Sequence, residues 1–276
     1  MEEIHYESGF INIGKANIFY EQSGSGTPLI MIHAGVADSR QWNNEFPHFS
    51  ENFQTFRYDM RGYGKSEPVD STFSHLGDLT ALVDALDIDP PFILMGCSMG
   101  GSFAMDYALA NPGQVKALIM VGSGPSGLEL DVDQPEIFSE VGKAFETGDL
   151  DRVAELETQI WFDGMDRTPD QVDQDMRQLA YEMNRIAIGH EVKELGTRQE
   201  NADKPAFNRL DEIDFPVLII VGSQDIPYMH ATADYMTERV DSAQKIIIKN
   251  AAYLPNMDQP EQFQKIVSQF LADTTL

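Results

Sequence analysis

The chain has 276 residues, 42% of them apolar and 10% aromatic, which is ordinary for a globular protein and enough for one large α/β domain with an inserted subdomain. Its formal charge of −26, from 45 acidic against 19 basic residues, argues against nucleic acid or an anionic membrane surface as a partner. The single cysteine, Cys97, excludes an internal disulfide and suits a reducing compartment; no run reaches transmembrane length, and Met1 to Ile4 lack the basic start of a secretory leader, so a cytoplasmic location is expected.

Tyr6 to Ile13 and Ala16 to Glu21 read as two strands joined at Gly14. Pro28 to His33 is a continuous apolar run, the pattern of a strand buried on both faces, and it ends in Ala34-Gly35-Val36-Ala37-Asp38-Ser39. Ser39 is placed to cap a helix from Arg40 to about Ser50. Gln54 to Asp59 predicts the next strand, which runs into the turn-rich loop Arg61 to Ser66. His75 to Ile88 carries Leu76, Leu79, Leu82, Val83 and Leu86 at helical spacing.

Phe92 to Met95 starts another buried strand, which breaks into Gly96-Cys97-Ser98-Met99-Gly100, a G-x-S-x-G pattern, before the helical spacing of Gly101 to Ala110. A serine on a sharp turn between strand and helix is held strained with its hydroxyl exposed, and small residues two positions away on either side let neighbouring backbone approach. The helix behind Ser98 offers free N–H groups and a positive dipole end, both suited to a developing oxyanion. A glycine-rich turn with an incidental serine is the plainer alternative; the strand before and the helix after favour a nucleophile. Cys97 fills a position in this turn that needs a small buried side chain.

Ala117 to Gly122 is the next buried strand, and then the rhythm changes. From Leu128 to Asp214 there is no buried-strand signal, and acidic residues outnumber basic ones by roughly 23 to 9. Helical patterns run near Pro135–Thr147, Asp149–Phe162 and Thr168–Gly189, with breaks at Gly148 and at Gly164 to Asp166. A helical insertion between two buried strands is a candidate lid, with a solvated decoration as the plainer reading. Its Trp161, Phe162, Met165, Met176 and Met183 suit packing first and ligand contact second.

The sheet resumes at Pro216 to Val221, followed by Gly222-Ser223-Gln224-Asp225. A helix at about Ala231 to Val240, a strand at Lys245 to Lys249, a loop from Asn250 to Gln259 and a closing helix from Pro260 to Ala272 complete the chain. Strands alternating with helices imply a mainly parallel sheet, whose sites lie at the carboxyl ends of the strands. Gly35, Ser98, Asp225 and Tyr253 all fall at such ends. There is no Cys/His cluster at zinc spacing and no G-x-G-x-x-G turn, so a small-molecule substrate is expected with neither a metal nor an organic cofactor.

Taken together, His33-Ala34-Gly35, Asp59-Met60-Arg61-Gly62-Tyr63-Gly64-Lys65-Ser66, Gly96 to Gly101, Val221 to Asp225 and Asn250 to Pro260 resemble the α/β-hydrolase fold superfamily along essentially the whole chain. The resemblance implies an eight-stranded, mainly parallel sheet with helices on both faces, formed by 1–127 and 215–276, and a helical lid from 128–214. It implies Ser98 as nucleophile, Asp225 as the acid of a triad, and the N–H groups of Met99 and of Gly35, or Val36 in its place, as an oxyanion hole. His33, Asp59 and Arg61 are then structural, and a helix-cap or turn role is the alternative for Asp225. The implied chemistry is that of a carboxylic-ester hydrolase, esterase- or lactonase-like, acting on a small apolar acyl substrate through an acyl-enzyme on Ser98. The fold hosts many chemistries, so the substrate does not follow from it.

The family carries a histidine in the last loop, and here the aligned residue is Tyr253, with no histidine beyond His230. An imidazole takes the serine proton and returns it to the leaving group, whereas a phenol with a pKa of about 10 is protonated at neutral pH and is a poor base. Three readings follow: a hydrolase impaired at Tyr253, a non-catalytic member that binds a small ligand, or a hydrolase rescued by another base such as His230.

Overall fold

The computed structural model describes residues 6–199 and 204–274; the chain start, Met1 to Ile4, and four residues within 128–214 lie outside it. Its strands, in chain order, are β1 (Tyr6–Ile13), β2 (Ala16–Ser23), β3 (Pro28–Ile32), β4 (Gln54–Tyr58), β5 (Thr72–Phe73), β6 (Phe92–Cys97), β7 (Val115–Val121), β8 (Thr197–Arg198), β9 (Val217–Gly222) and β10 (Ala243–Ile248). Eight of them form one sheet in the order β1-β2-β4-β3-β6-β7-β9-β10, while β5 and β8 pair separately. β2 is antiparallel to both β1 and β4, and the remaining pairs are parallel.

The apolar runs sit where burial on both faces demands them: β3, β6 and β9 are buried along their whole length. At the sheet's two edges β1 exposes Tyr6 and Phe10, and β10 exposes Ile247. The helices are α1 (Glu45–Ser50), α2 (His75–Ala85), α3 (Met99–Ala110), α4 (Ile137–Thr147), α5 (Leu150–Thr158), α6 (Gln174–Glu191), α7 (Pro227–Thr237), α8 (Pro255–Asp258) and α9 (Pro260–Asp273). The step from β3 to β4 moves one way along the sheet and the step from β6 to β7 the other. Right-handed crossovers therefore put α1 and α3 on opposite faces, and β3 and β6 flank the point where strand order reverses.

Several local expectations shift. The helix expected from Arg40 is a four-residue 3₁₀ turn, Ser39–Trp42, followed by α1. Its cap is Asp38, which accepts the Arg40 N–H at 3.0 Å; Ser39 is instead held by its own N–H, which donates to Asp59 Oδ1 at 2.8 Å. β4 stops at Tyr58, one residue short of Asp59, whose side chain fixes the loop beyond the strand by accepting the Lys65 N–H at 2.7 Å as well. α2 ends at Ala85, ahead of Asp87, whose φ is +49°. α7 begins four residues before the expected Ala231, with Pro227 in the first helical turn, where its missing N–H costs nothing.

In the segment 128–214, α4, α5 and α6 share a small core of Ala144, Val153, Ala154, Leu156 and Ile188. α5 runs into a π-turn, Gln159–Asp163, which Gly164 terminates at φ +81°. Arg167 ties this turn to the last loop of the chain, donating to Asn250 O at 2.9 Å and pairing with Asp258 at 2.5 Å. Among the described residues no helix is long and apolar enough to cross a membrane.

Candidate active site

β6 ends at Cys97 and α3 begins at Met99, leaving Ser98 between them at φ +52°, ψ −122°. A side chain held in this region costs on the order of 1–3 kcal/mol, which surrounding structure must offset. The offset comes from close packing that only glycine permits. A Cβ on Gly96 would lie 2.5 Å from the Gly100 carbonyl carbon, and one on Gly100 would lie 2.5 Å from the His33 oxygen. The start of α3 is thereby pressed against the ends of β3 and β6. Ser98 N–H donates to Val121 O at 2.9 Å, and Ser123 Oγ donates to the Ser98 carbonyl. Cys97 is fully buried, and burial pushes its thiol up to about 12, so its role is packing.

The loop after β3 is braced from inside. Met60 N–H donates to His33 Nε2 at 2.9 Å, so the ring proton sits on Nδ1 and donates to Ala34 O at 2.7 Å. Burial lowers the His33 pKa, which keeps this strut neutral. Ala34 N–H donates to Gln41 Oε1 at 2.9 Å. Gly35 N–H makes no hydrogen bond to any described residue. Met99, as the first residue of α3, has an N–H with no partner inside the helix. Arg61 is fully engaged as a brace, with Nε and Nη2 on Asp78 at 2.9 and 2.7 Å.

The Tyr253 hydroxyl donates a hydrogen bond to Ser98 Oγ. Tyr253 is buried, and burial raises its phenol further above the usual value, so it stays protonated. Asp225, on the loop after β9, accepts its neighbour Ile226 N–H through Oδ1 at 2.8 Å, while Oδ2 is buried without a partner among the described residues. Burial pushes this carboxyl up to about 8, so at neutral pH it is largely protonated. Asp225 is near enough to help raise the Tyr253 phenol, but no hydrogen bond joins the two. The fold thus joins Ser98 to Tyr253 and leaves Asp225 near Tyr253 without a hydrogen bond to either of them.

Ser98, Met99, Ser123, Tyr228, Thr232 and Tyr253 line a cavity of about 180 Å³. The segment 128–214 reaches this place: the Trp161 ring lies 4.5 Å from that of Tyr253, and Tyr228 Oη donates to Leu128 O at 3.0 Å. Phe162 and Met183 are buried, whereas Met165 is exposed. His230 is not in this cavity; it is half-buried on α7, with Asp234 and Lys245 as its charged neighbours, and burial lowers its pKa. Sequence reasoning missed a second, larger cavity of about 500 Å³, between the loops after β3 and β4 and helix α6, lined among others by Gly35, Tyr63, His75, Glu157 and Asn184. Its only sequence signal is the aromatic Tyr63 inside a loop otherwise made of turn residues.

The model of the alpha/beta hydrolase fold family matches residues 27–260, and the chain belongs to that family. It is similar to a 2-hydroxy-6-oxononadienedioate/2-hydroxy-6-oxononatrienedioate hydrolase of Paraburkholderia xenovorans (strain LB400), with 27% identity over 273 residues, 94% of this chain and 92% of the relative. It is also similar to a pimeloyl-[acyl-carrier protein] methyl ester esterase of Neisseria meningitidis (serogroup A / serotype 4A, strain DSM 15465 / Z2491), with 26% identity over 251 residues, 88% of this chain and 76% of the relative. The solved structure of an esterase from Exiguobacterium antarcticum superposes with a TM-score of 0.76 at 22% identity, over 96% of this chain and 100% of that one, a likeness of fold. Both of these relatives are hydrolases, and the second is a methyl ester esterase.

Proposed function

We propose that the chain is a carboxylic-ester hydrolase scaffold with Ser98 as nucleophile, Asp225 as triad acid and the N–H groups of Gly35 and Met99 as oxyanion donors, its proton shuttle missing at Tyr253. The observation that carries this reading is the hydrogen bond from the Tyr253 hydroxyl to a serine strained on a strand–helix turn. In ester hydrolysis Ser98 Oγ bonds to the substrate carbonyl carbon, its proton passes to a base, and that proton leaves with the departing alcohol. Water then repeats the sequence on the acyl-enzyme. Tyr253 cannot accept the proton, because its phenol is already protonated and points its hydrogen at Oγ. The small chamber beside Ser98, with Met99, Leu128 and Met229 in its wall, supports a small, largely apolar acyl group. The segment 128–214 acts as its lid, reaching the site through Trp161.

Replacing Tyr253 by His tests this. An imidazole there donates one N–H to the unpaired Asp225 Oδ2 and accepts the Ser98 proton on its other nitrogen. We expect kcat/KM for short p-nitrophenyl esters to rise by several orders of magnitude, since loss of the base in a serine triad costs on the order of a millionfold in kcat. Adding Ser98→Ala to that variant abolishes the gain. A folded Tyr253→His chain at background on a broad panel of esters and lactones would overturn the reading.

The second reading, a small-ligand-binding member of the family, is favoured by one feature of the same bond. With Oγ accepting from Tyr253, the Ser98 hydroxyl hydrogen is free to donate to a ligand carbonyl. A burst of one equivalent of phenol from a p-nitrophenyl ester, with no turnover, supports the impaired hydrolase. Saturable ligand binding with no release supports the binder.

A further inference from the structure

The cavity of about 500 Å³ does not contain Ser98, yet it begins at Gly35 and Val36, in the loop that holds a proposed oxyanion donor. Its floor is an aromatic shelf: Tyr63 lies 5.2 Å from the His33 ring and 6.2 Å from the His75 ring, and His75 is packed in turn against Phe73 and Phe103. These contacts fix the Tyr63 ring. Its hydroxyl makes no hydrogen bond to any described residue and lies 3.7 Å from where a Cβ on Gly35 would stand. The Met99 side chain stands at the same place, its Cε 3.5 Å from that point, and so divides the two chambers. Burial holds the Tyr63 phenol up at about 12, so it is a hydrogen-bond donor at any working pH.

The charges around the chamber constrain what enters. Glu157, Glu191 and Glu194 line it together with His190 and Arg198, all five from the segment 128–214. Arg61 also lines it, but its guanidinium is taken up by Asp78 and Ser71. Glu157 is held by Asn184, whose amide donates to Oε2 at 2.9 Å. Arg198 is the charge that acts most strongly on the Tyr63 phenol, but the three glutamates outnumber it, so a carboxylate-ended chain meets net repulsion in the chamber and an uncharged one does not.

We infer that Tyr63 is a substrate-binding residue whose free hydroxyl donates to an uncharged acceptor oxygen, ether or carbonyl, a few bonds from the reacting carbonyl, and that the larger chamber takes the remainder of an uncharged substrate. The inference rests on the proposed site only for the position of that carbonyl beside Gly35.

Its test is equilibrium binding and needs no turnover. The chain as it stands is titrated calorimetrically with nonan-2-one and with analogues in which an ether oxygen replaces in turn each chain methylene beyond the one next to the carbonyl. One analogue should bind about tenfold tighter than its neighbours in the series, and Tyr63→Phe, which keeps the ring, should erase that preference. Preserved relative affinities in Tyr63→Phe, or no ketone binding by either chain, would overturn the inference. So would 8-oxononanoate binding more tightly than nonan-2-one. As a second variant, Ala187→Leu narrows the chamber from α6 without touching Tyr63. It should weaken nonan-2-one more than pentan-2-one, and equal weakening counts against the chamber. If Tyr253→His hydrolyses no ester, the hydrolase reading fails by itself and the ketone result still decides this one.

Discussion

A carboxyl group kept neutral by burial makes stability depend on pH. Asp225 and Glu45 are both pushed up to about 8 by burial, and Glu45 sits in the core with one oxygen unpaired among the described residues and the other accepting from Asn256. Between about pH 4, where the unfolded carboxyls ionise, and about pH 8, where the folded ones do, the folded state binds more protons. Stability therefore falls as pH rises through that window. We expect the melting temperature of Asp225→Asn to exceed that of the parent by a margin that widens from about pH 5 to about pH 8, as read by calorimetry. Parallel curves would mean that this carboxyl ionises normally and that its burial has been misread. In Tyr253→His a ring N–H on Oδ2 favours the charged form, so the contribution of Asp225 to the slope should shrink.

Arg167 holds the segment 128–214 to the loop that carries Tyr253. Arg167 donates to Asp163 O, Phe162 O and Asn250 O and pairs with Asp258, whose Oδ2 also accepts the Ala252 N–H at 3.1 Å. A second arginine, Arg177, locks the π-turn from its other side through Asp163 and Glu155, at 2.9 and 2.7 Å. Breaking a largely buried pair by removing one partner costs about 3–5 kcal/mol. Arg167→Met should lower urea stability by about 3 kcal/mol and speed amide exchange in the π-turn and the loop from Asn250 to Gln259 together. Faster exchange confined to the helices of that segment would show that Arg167 is not the link. The same variant, made in Tyr253→His, should raise KM for p-nitrophenyl esters more than it lowers kcat, because Trp161, which stands against residue 253, loses its support.

Over the whole molecule, 45 acidic side chains face 19 basic ones, and the compact state carries the repulsion. Surface pairs such as Arg152–Glu140 and Arg185–Asp151 are too exposed to offset it. Raising sodium chloride from about 10 mM to about 150 mM shortens the Debye length from about 30 Å to about 8 Å and screens mainly like-charge repulsion. The melting temperature should rise over that interval. A fall would mean that the attractive pairs outweigh the net charge.

The parts of this protein written in contiguous sequence were legible in it. The apolar runs of β3, β6 and β9, the G-x-S-x-G turn at Ser98 and the position of Tyr253 in the last loop are each set by neighbours a few residues away, through strand periodicity and turn chemistry. What escaped was decided between distant segments. Asp38 rather than Ser39 caps the first turn because Asp59, far along the chain, draws on the Ser39 N–H. The bond from Tyr253 to Ser98 spans 155 positions, and the unpaired Asp225 oxygen follows from a desolvation that no local pattern encodes. Tyr63 reads as one more loop residue until α6 closes a chamber over it. Local sequence sets backbone conformation over a few residues; which polar atoms lose water and which find partners is settled only when the sheet brings its strand ends together.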